Sequence, residues 1–488
     1  MHWRLMFTAL FHGAFSMSTG YQITVLNSLQ PFVKEFANAS IYLRYGIVMN
    51  DSQTALIWSL TVASYMFGAA LSAFLVRYSA ERYGRRSTAM MNIVELLAIG
   101  RLLSGGSRAF SWFTSTYLAE CVPTEKRGMT SLMNVIGNRI WCIVGMIVSL
   151  PVFLGTAELW PYTMLVPVPF TIIHISMTCY FPRSPKFLYI TRNEIDQSAL
   201  AIRFYHGAKV DVQSVHNQYE QERALQKGHE TITTRNMGRL FRNRRYRWPL
   251  IICIAVIMTP ALNGVDFALI YSTGLLTEIG VPNAPVFSLL AVHLPTLLAC
   301  ISGVLLIDHF GRRVILLGGF LIGLLSMCVL CACTVLSETS RPLPSAISTA
   351  LPVIGVSALS LIAIGHAAGP AFVHAVMPGE LCPQASRSLT WCCAMTTVFA
   401  CKSLSLAMYP PLQSLIGGVA LLPLTLLGFA LFTFLFVYMP ETSGRTVQEV
   451  HKASGWMKPP TNGAVEIGLE EKQRLCSSDQ QQGRQCDE

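Results

Sequence analysis
Charged residues are scarce in this 488-residue chain. They make up 13% of it, about half the share carried by soluble globular domains, which excludes an ordinary water-soluble enzyme. No G-x-x-x-x-G-K-[ST] run occurs, so a nucleotide-driven machine has no phosphate cradle here. No nucleophile–base spacing stands out either, and Cys331 and Cys333 form a C-x-C without histidine partners, a poor metal site. We therefore expect no enzyme, cofactor, metal or nucleotide. Ten-residue stretches of alternating polarity are also missing, which argues against a transmembrane β-barrel. The net charge of +10 is not interleaved with aromatics on one soluble face, so no nucleic-acid partner is expected. The 14 cysteines sit mostly in apolar runs (Cys142, Cys179, Cys253, Cys300, Cys328) or near the end (Cys476, Cys486). They read as buried hydrophobes rather than a disulfide framework. No small-residue cleavage site follows Arg4, so Leu5–Val25 reads as a span that is kept.

What the chain has is apolar sequence, 52% of its residues. Charge-free runs such as Thr54–Val76, Ile279–Ile307 and Val314–Ser337 exceed the ~20 residues a helix needs to cross a bilayer. The fold class expected is an all-α polytopic membrane protein, with the lipid bilayer as its solvent. Spans are placed near 5–25, 54–76, 96–119, 129–155, 159–181, 249–276, 285–307, 314–336, 350–377, 388–409 and 415–438, about 11 in all. Pro410-Pro411 with Gly417-Gly418 is expected to break the long uncharged stretch Ser403–Pro440. The chain then divides into an N-terminal transmembrane half (1–182), a basic loop (183–247), a C-terminal transmembrane half (248–446) and a disordered tail (447–488). Between Arg183 and Arg247 there are 13 Lys/Arg against 6 Asp/Glu; such an excess marks a cytoplasmic loop. Five of these spans precede the loop and six follow it; positive-inside orientation places the loop after the first span outside, in agreement with cytoplasmic termini. The sequons Asn38-Ala39-Ser40 and Asn50-Asp51-Ser52 then fall in an external loop and are candidate glycosylation sites.

The halves repeat one another. Gly84-Arg85-Arg86, Glu120 and Arg127 are followed, in the same order, by Gly311-Arg312-Arg313, Glu380 and Arg387, as in carriers built from two homologous halves. Glu380 comes 67 positions after Arg313, but Glu120 only 34 after Arg86. One helix is short or missing in the first half.

These motifs, with Gly20-Tyr21 through Asn27 and Gln30, Gly100-Arg101, Ser184-Pro185-Lys186-Phe187-Leu188, Asp308, Gly379-Glu380-Leu381 and Pro440-Glu441-Thr442 before Gly444-Arg445-Thr446, resemble the facilitative hexose transporters of the sugar-porter branch of the major facilitator superfamily. The resemblance covers almost the whole chain. It implies a major facilitator fold of two six-helix halves, here with the third helix of the first half truncated, because only Ser87–Ile99 separates Arg86 from Gly100-Arg101. It implies plasma-membrane uniport of a hexose such as glucose or fructose by alternating access. It also implies a cytoplasmic gate in which Arg85, Arg86 and Arg127 pair with Glu120, and Arg312, Arg313 and Arg387 with Glu380, with Glu441 nearby.

The chain departs from that resemblance in the substrate cavity. Amide positions of the family fall on Val135, Pro260-Ala261, Asp266, Thr296 and Lys402, and a Glu and a Trp position on Ala367 and Ala375. Gln22 is a polar residue of the first span, and Gly369-Pro370 can interrupt the span near 350–377. The cavity candidates are thus Gln22, Val135, Asp266, Thr296, Gly369, Pro370, Ala375 and Lys402. Intramembrane charges are costly, so Asp266 and Lys402 are expected either to face each other as an ion pair or to find separate backbone partners. Arg139 is expected to face space left by the short third helix. His293, His366 and His374 read as helix-face histidines rather than proton couplers. The competing function is a non-transporting or altered-substrate member or isoform of the same family.

Overall fold
The computed structural model describes residues 3–15, 19–83, 101–102, 104–106, 108, 117–118, 120–122, 127–208, 210–227, 238–338, 344–445 and 447–456. Among them all regular structure is helical. In the first half run α1 (Trp3–Phe15), α2 (Thr19–Thr24), α3 (Gln30–Tyr45), α4 (Asp51–Tyr83), α5 (Arg127–Val148) and α6 (Pro167–Thr178). The basic connection carries α7 (Ile195–His206) and α8 (Val212–Lys227). The second half holds α9 (Arg244–Leu262), α10 (Val265–Ile270), α11 (Ser272–Glu278), α12 (Leu294–Phe310), α13 (Arg312–Ser337), α14 (Ser345–Ala368), α15 (Pro370–Leu381), α16 (Gln384–Ile416) and α17 (Leu422–Tyr438), followed by α18 (Val447–Ala453). Six described stretches are long and apolar enough to cross a membrane: Asp51–Ala73, Arg244–Leu262, Ala284–Gly303, Arg312–Ser337, Ser345–Ala368 and Ser386–Tyr438. The last, at 53 residues, would reach about 80 Å as one helix and is two crossings. The shortened third helix, Ser87–Ile99, lies outside the described residues.

Small residues let the helices meet backbone to backbone, the packing mode favoured where lipid removes the hydrophobic drive. A Cβ on Gly68 of α4 would sit 1.9 Å from the Leu102 carbonyl oxygen, and one on Gly105 only 1.8 Å from that of Tyr65. The segment around residues 101–106 is thereby pressed onto α4. Gly20 likewise brings α2 onto α5, where its Cβ would meet the Asn138 carbonyl at 2.2 Å.

Prolines inside helices leave carbonyls without a donor, and in a bilayer each must be answered by protein. Hydroxyls answer three of them. Pro260 strands the Val256 carbonyl, which accepts from the Thr259 hydroxyl at 2.8 Å. Pro295 strands Ala291, whose carbonyl accepts from Ser360 on α14. Pro410 strands Leu406, whose carbonyl accepts from the Tyr271 hydroxyl at 3.1 Å. For that reason α16 runs straight through Pro410-Pro411 to Ile416, and of the two motifs expected to make the break it is Gly417-Gly418 that makes it, with φ +63° at Gly417. The expected span 350–377 is, by contrast, cut by Gly369-Pro370 into α14 and α15. A Cβ on Gly369 would lie 2.3 Å from Ile315 Cγ2. The boundary at 446 also moves: α18 docks, burying Val450 and Trp456, with the His451 ring nitrogen 2.9 Å from the Leu381 carbonyl. Residues 457–488, the rest of the expected disordered tail, lie outside the described residues.

Candidate functional site
The span expected at 249–276 is broken twice, and the breaks aim its polar groups. At Gly264 φ is +81°, and a Cβ there would strike Met327 Sδ at 2.2 Å, so only glycine fits. Asn263 then caps α10, its Oδ1 accepting from the Val265 amide at 3.0 Å. One residue on, Asp266 meets Lys402 of α16, with Nζ 2.9 Å from Oδ1 and from Oδ2. Both residues are buried. Of the two expectations for these charges, the geometry realises the mutual pair. Beside it, the Ser403 hydroxyl donates to the Ala63 carbonyl of α4 at 3.1 Å, tying the second half to the first.

The other cavity candidates divide. Gln22 is buried, and its carbonyl accepts from both Arg101 Nη atoms at 3.3 Å, while Arg101 Nε donates to Thr61 at 3.1 Å. Val135 packs against Ala299, Cys300, Ala367 and Phe372 of the other half. Thr296 spends its hydroxyl on the Val292 carbonyl of its own helix. Gly369 and Pro370 form the α14–α15 break. Ala375 lies on α15, with a side chain outside the described set. The His366 and His374 rings stack 6.3 Å apart, and His374 Nδ1 is 2.8 Å from the Pro370 carbonyl. Arg139 is buried on α5, which packs against the 288–293 segment and α12 of the second half, and the Cys300 thiol lies beside it.

At the end of the second half where α13 begins, Glu380 is fully engaged. Arg312 Nε lies 3.3 Å from its Oε1, and the Thr442 hydroxyl donates to Oε2 at 2.6 Å. The expected gathering of three arginines is corrected: Arg313 donates to the Phe436 carbonyl and Arg387 to those of Gly379 and Cys382. A helix end leaves carbonyls unsatisfied, and these two guanidiniums answer them. Glu441 caps α13, accepting from the amides of Arg312, Arg313, Thr442 and Ser443 at 2.9–3.1 Å. Burial alone would raise its pKa, but the four amide donors outweigh it and hold the carboxyl below its ordinary value. Gly311 makes this possible, with φ +81° and the Glu441 carboxylate 2.8 Å from where its Cβ would be.

The first half repeats one part of this pattern. The Ser184 hydroxyl donates to Glu120 Oε2 at 2.6 Å, as Thr442 does to Glu380, and it also accepts from the Phe187 amide at 3.2 Å. Arg85 and Arg86 lie outside the described residues. Arg127 opens α5, but its side chain is likewise outside them. Ser184 and Thr442 were absent from the expected gate. The usable signal was spacing, since they follow their carboxylates by 64 and 62 positions.

At the opposite end the halves are clasped by Asn27. Its Nδ2 donates to Ser272 Oγ at 2.8 Å, its Oδ1 accepts from the Thr273 amide at 3.0 Å, and Ser272 and Ser288 hydroxyls sit 2.6 Å apart. Nearby, Asn38 lies within helix α3, not in the loop expected for it, because Gln30–Tyr45 is helical up to a left-handed Gly46. Asn50 caps α4 reciprocally with Gln53, at 2.8 and 3.1 Å, and both asparagines are exposed.

The family model described as sugar (and other) transporter matches residues 5–453. Facilitated glucose transporter member 7 of Mus musculus is 26% identical over 455 residues, covering 89% of this chain and 86% of the relative. Facilitated glucose transporter member 3 of Ovis aries is 26% identical over 468 residues, covering 92% of each. Among solved structures, the inward open conformation of the xylose transporter XylE from E. coli superposes with a TM-score of 0.71 at 15% identity, covering 92% of this chain and 99% of that one.

Proposed function
The chain belongs to the sugar transporter family, and on that premise we propose that it is a facilitative carrier that moves a hexose, glucose or fructose, by alternating access of two halves. The observation that carries the reading is the arrangement at the two ends. One end has a carboxylate–hydroxyl pair in each half, Glu120–Ser184 and Glu380–Thr442, and the other has the Asn27 clasp across the halves. Hydrogen bonds that join the halves at one end, and charged clusters that belong to each half at the other, are what a rocking mechanism exchanges between its states.

In this reading the Glu120 and Glu380 ends face the cytoplasm, together with both termini and the basic connection, while Asn38 and Asn50 face outside at the plasma membrane. Arg85, Arg86, Arg127, Arg312, Arg313, Arg387 and Glu441 line the cytoplasmic gate. Gln22, Val135, Asp266, Thr296, Gly369, Pro370, Ala375 and Lys402 surround the path. The test is counterflow of radiolabelled D-glucose and D-fructose into proteoliposomes without a proton gradient. Saturable exchange of either sugar is expected, and absence of exchange for both would sink the uniport reading.

A second reading, an altered-substrate member, is favoured by one observation. Lys402 Nζ lies 2.9 Å from both carboxylate oxygens of Asp266, an ion pair where a neutral sugar would meet amides.

A further inference from the structure
The middle of the molecule holds a positive charge that no carboxylate among the described residues answers. Asp266 is occupied by Lys402 at 2.9 Å. Arg139 sits one helical turn beyond Val135, on the face of α5 that packs against the second half. It is buried, and among the described residues no carboxylate lies within ion-pair distance of it. The Cys300 thiol lies beside it, and its helix packs against the 288–293 segment that ends in His293. His293, at the start of α12, is 2% exposed, and neither ring nitrogen has a hydrogen-bond partner. A buried guanidinium without a counter-ion beside a buried imidazole without a partner is an unfavourable pairing for an empty protein.

We propose that Arg139 and His293 form a carboxylate-binding subsite between the halves, and that among hexoses the path prefers one bearing a carboxylate, a hexuronate. A guanidinium presents two parallel N–H donors in the geometry that a carboxylate accepts. The imidazole N–H can take a further lone pair of the same group. Val135 and Thr296 suit this role by default, since an apolar side chain and a hydroxyl already bonded to Val292 leave the anion to the cation. The inference rests on the transport reading above and names the substrate class of the same path.

The test uses the full chain in proteoliposomes, with labelled D-glucuronate, D-glucose and L-lactate as separate probes. Saturable glucuronate exchange is expected, competed at least tenfold better by unlabelled glucuronate than by glucose or lactate. Arg139→Gln should lower glucuronate exchange more than tenfold, while Arg139→Lys, which keeps the charge, should retain more of it than Arg139→Gln. Glucose exchange indifferent to glucuronate would overturn the inference and leave the carrier reading standing. Exchange of neither sugar would overturn both. Lactate moving as well as glucuronate would overturn the sugar part, and glucuronate exchange undiminished in Arg139→Gln would overturn the subsite. Glucuronate competition in the parent protein decides the matter even where a variant fails to fold.

Discussion
Lys402 and Asp266, 136 positions apart in the chain, meet at 2.9 Å inside the bundle, one from α16 and one from the short α10. A carboxylate at the first turn of a helix is favoured by its amide ends, and the ammonium opposite balances its charge. Removing either partner leaves a buried charge alone. Asp266→Asn and Lys402→Asn are each expected to cost about 3 kcal/mol. The double variant should recover a large part of that loss, seen as a coupling of about 2 kcal/mol in thermal unfolding of the detergent-solubilised protein. Purely additive losses would refute the coupling.

The paired carboxylate–hydroxyl contacts predict matched effects in the two halves. Ser184→Ala and Thr442→Val each delete a short hydrogen bond to a charged acceptor, worth about 1.5–3 kcal/mol. Both should raise labelling of cysteines introduced at the Glu120 and Glu380 end. Equal labelling in parent and variants would count against a gating role for these contacts.

Tyr271 and Pro410 should be coupled through a carbonyl. Tyr271→Phe leaves the Leu406 carbonyl without its hydroxyl donor at a cost of about 1–2 kcal/mol. In a Pro410→Ala background the restored amide can answer that carbonyl within the helix, so the same change should cost close to nothing. An unchanged penalty in both backgrounds would show that the hydroxyl acts elsewhere.

Glu441 supplies a pH dependence. Its carboxyl is held below the ordinary value because four amides bond its charged form. The cap therefore contributes stability above the ordinary carboxylate pKa and loses it as pH falls through the lower, folded value. Glu441→Gln should be less stable than the parent at neutral pH, with the gap closing on acidification. A gap that stayed constant down to acid pH would contradict this account.

Orientation has its own check. Glycosidase treatment of protein expressed in animal cells should shift its mobility, and Asn50→Gln should remove most of the shift, because Asn50 stands at a helix cap whereas Asn38 is held in the body of α3. A shift that survives loss of both asparagines would place the glycan, and the outer face, somewhere else.

Apolar runs, a basic connection and the repeated Gly-Arg-Arg…Glu…Arg order sufficed to identify an all-helical carrier of two related halves. Those signals are local or periodic, and burying an apolar run in lipid depends on little beyond its length and composition. The motifs also singled out Glu120, Glu380 and Glu441, which accept hydrogen bonds from Ser184, Thr442 and the Arg312 amide, since a charge at a span's end stands out against an uncharged background. Partner choice was not legible in the same way. Whether Asp266 met Lys402 or backbone depended on two helices far apart in sequence, and Arg312 reached Glu380 while Arg313 turned to Phe436. The chain's path past Pro410 was likewise decided by Tyr271 on another helix. A buried polar group takes whichever partner the packing brings within 3 Å, and only the tertiary arrangement of the helices sets that distance.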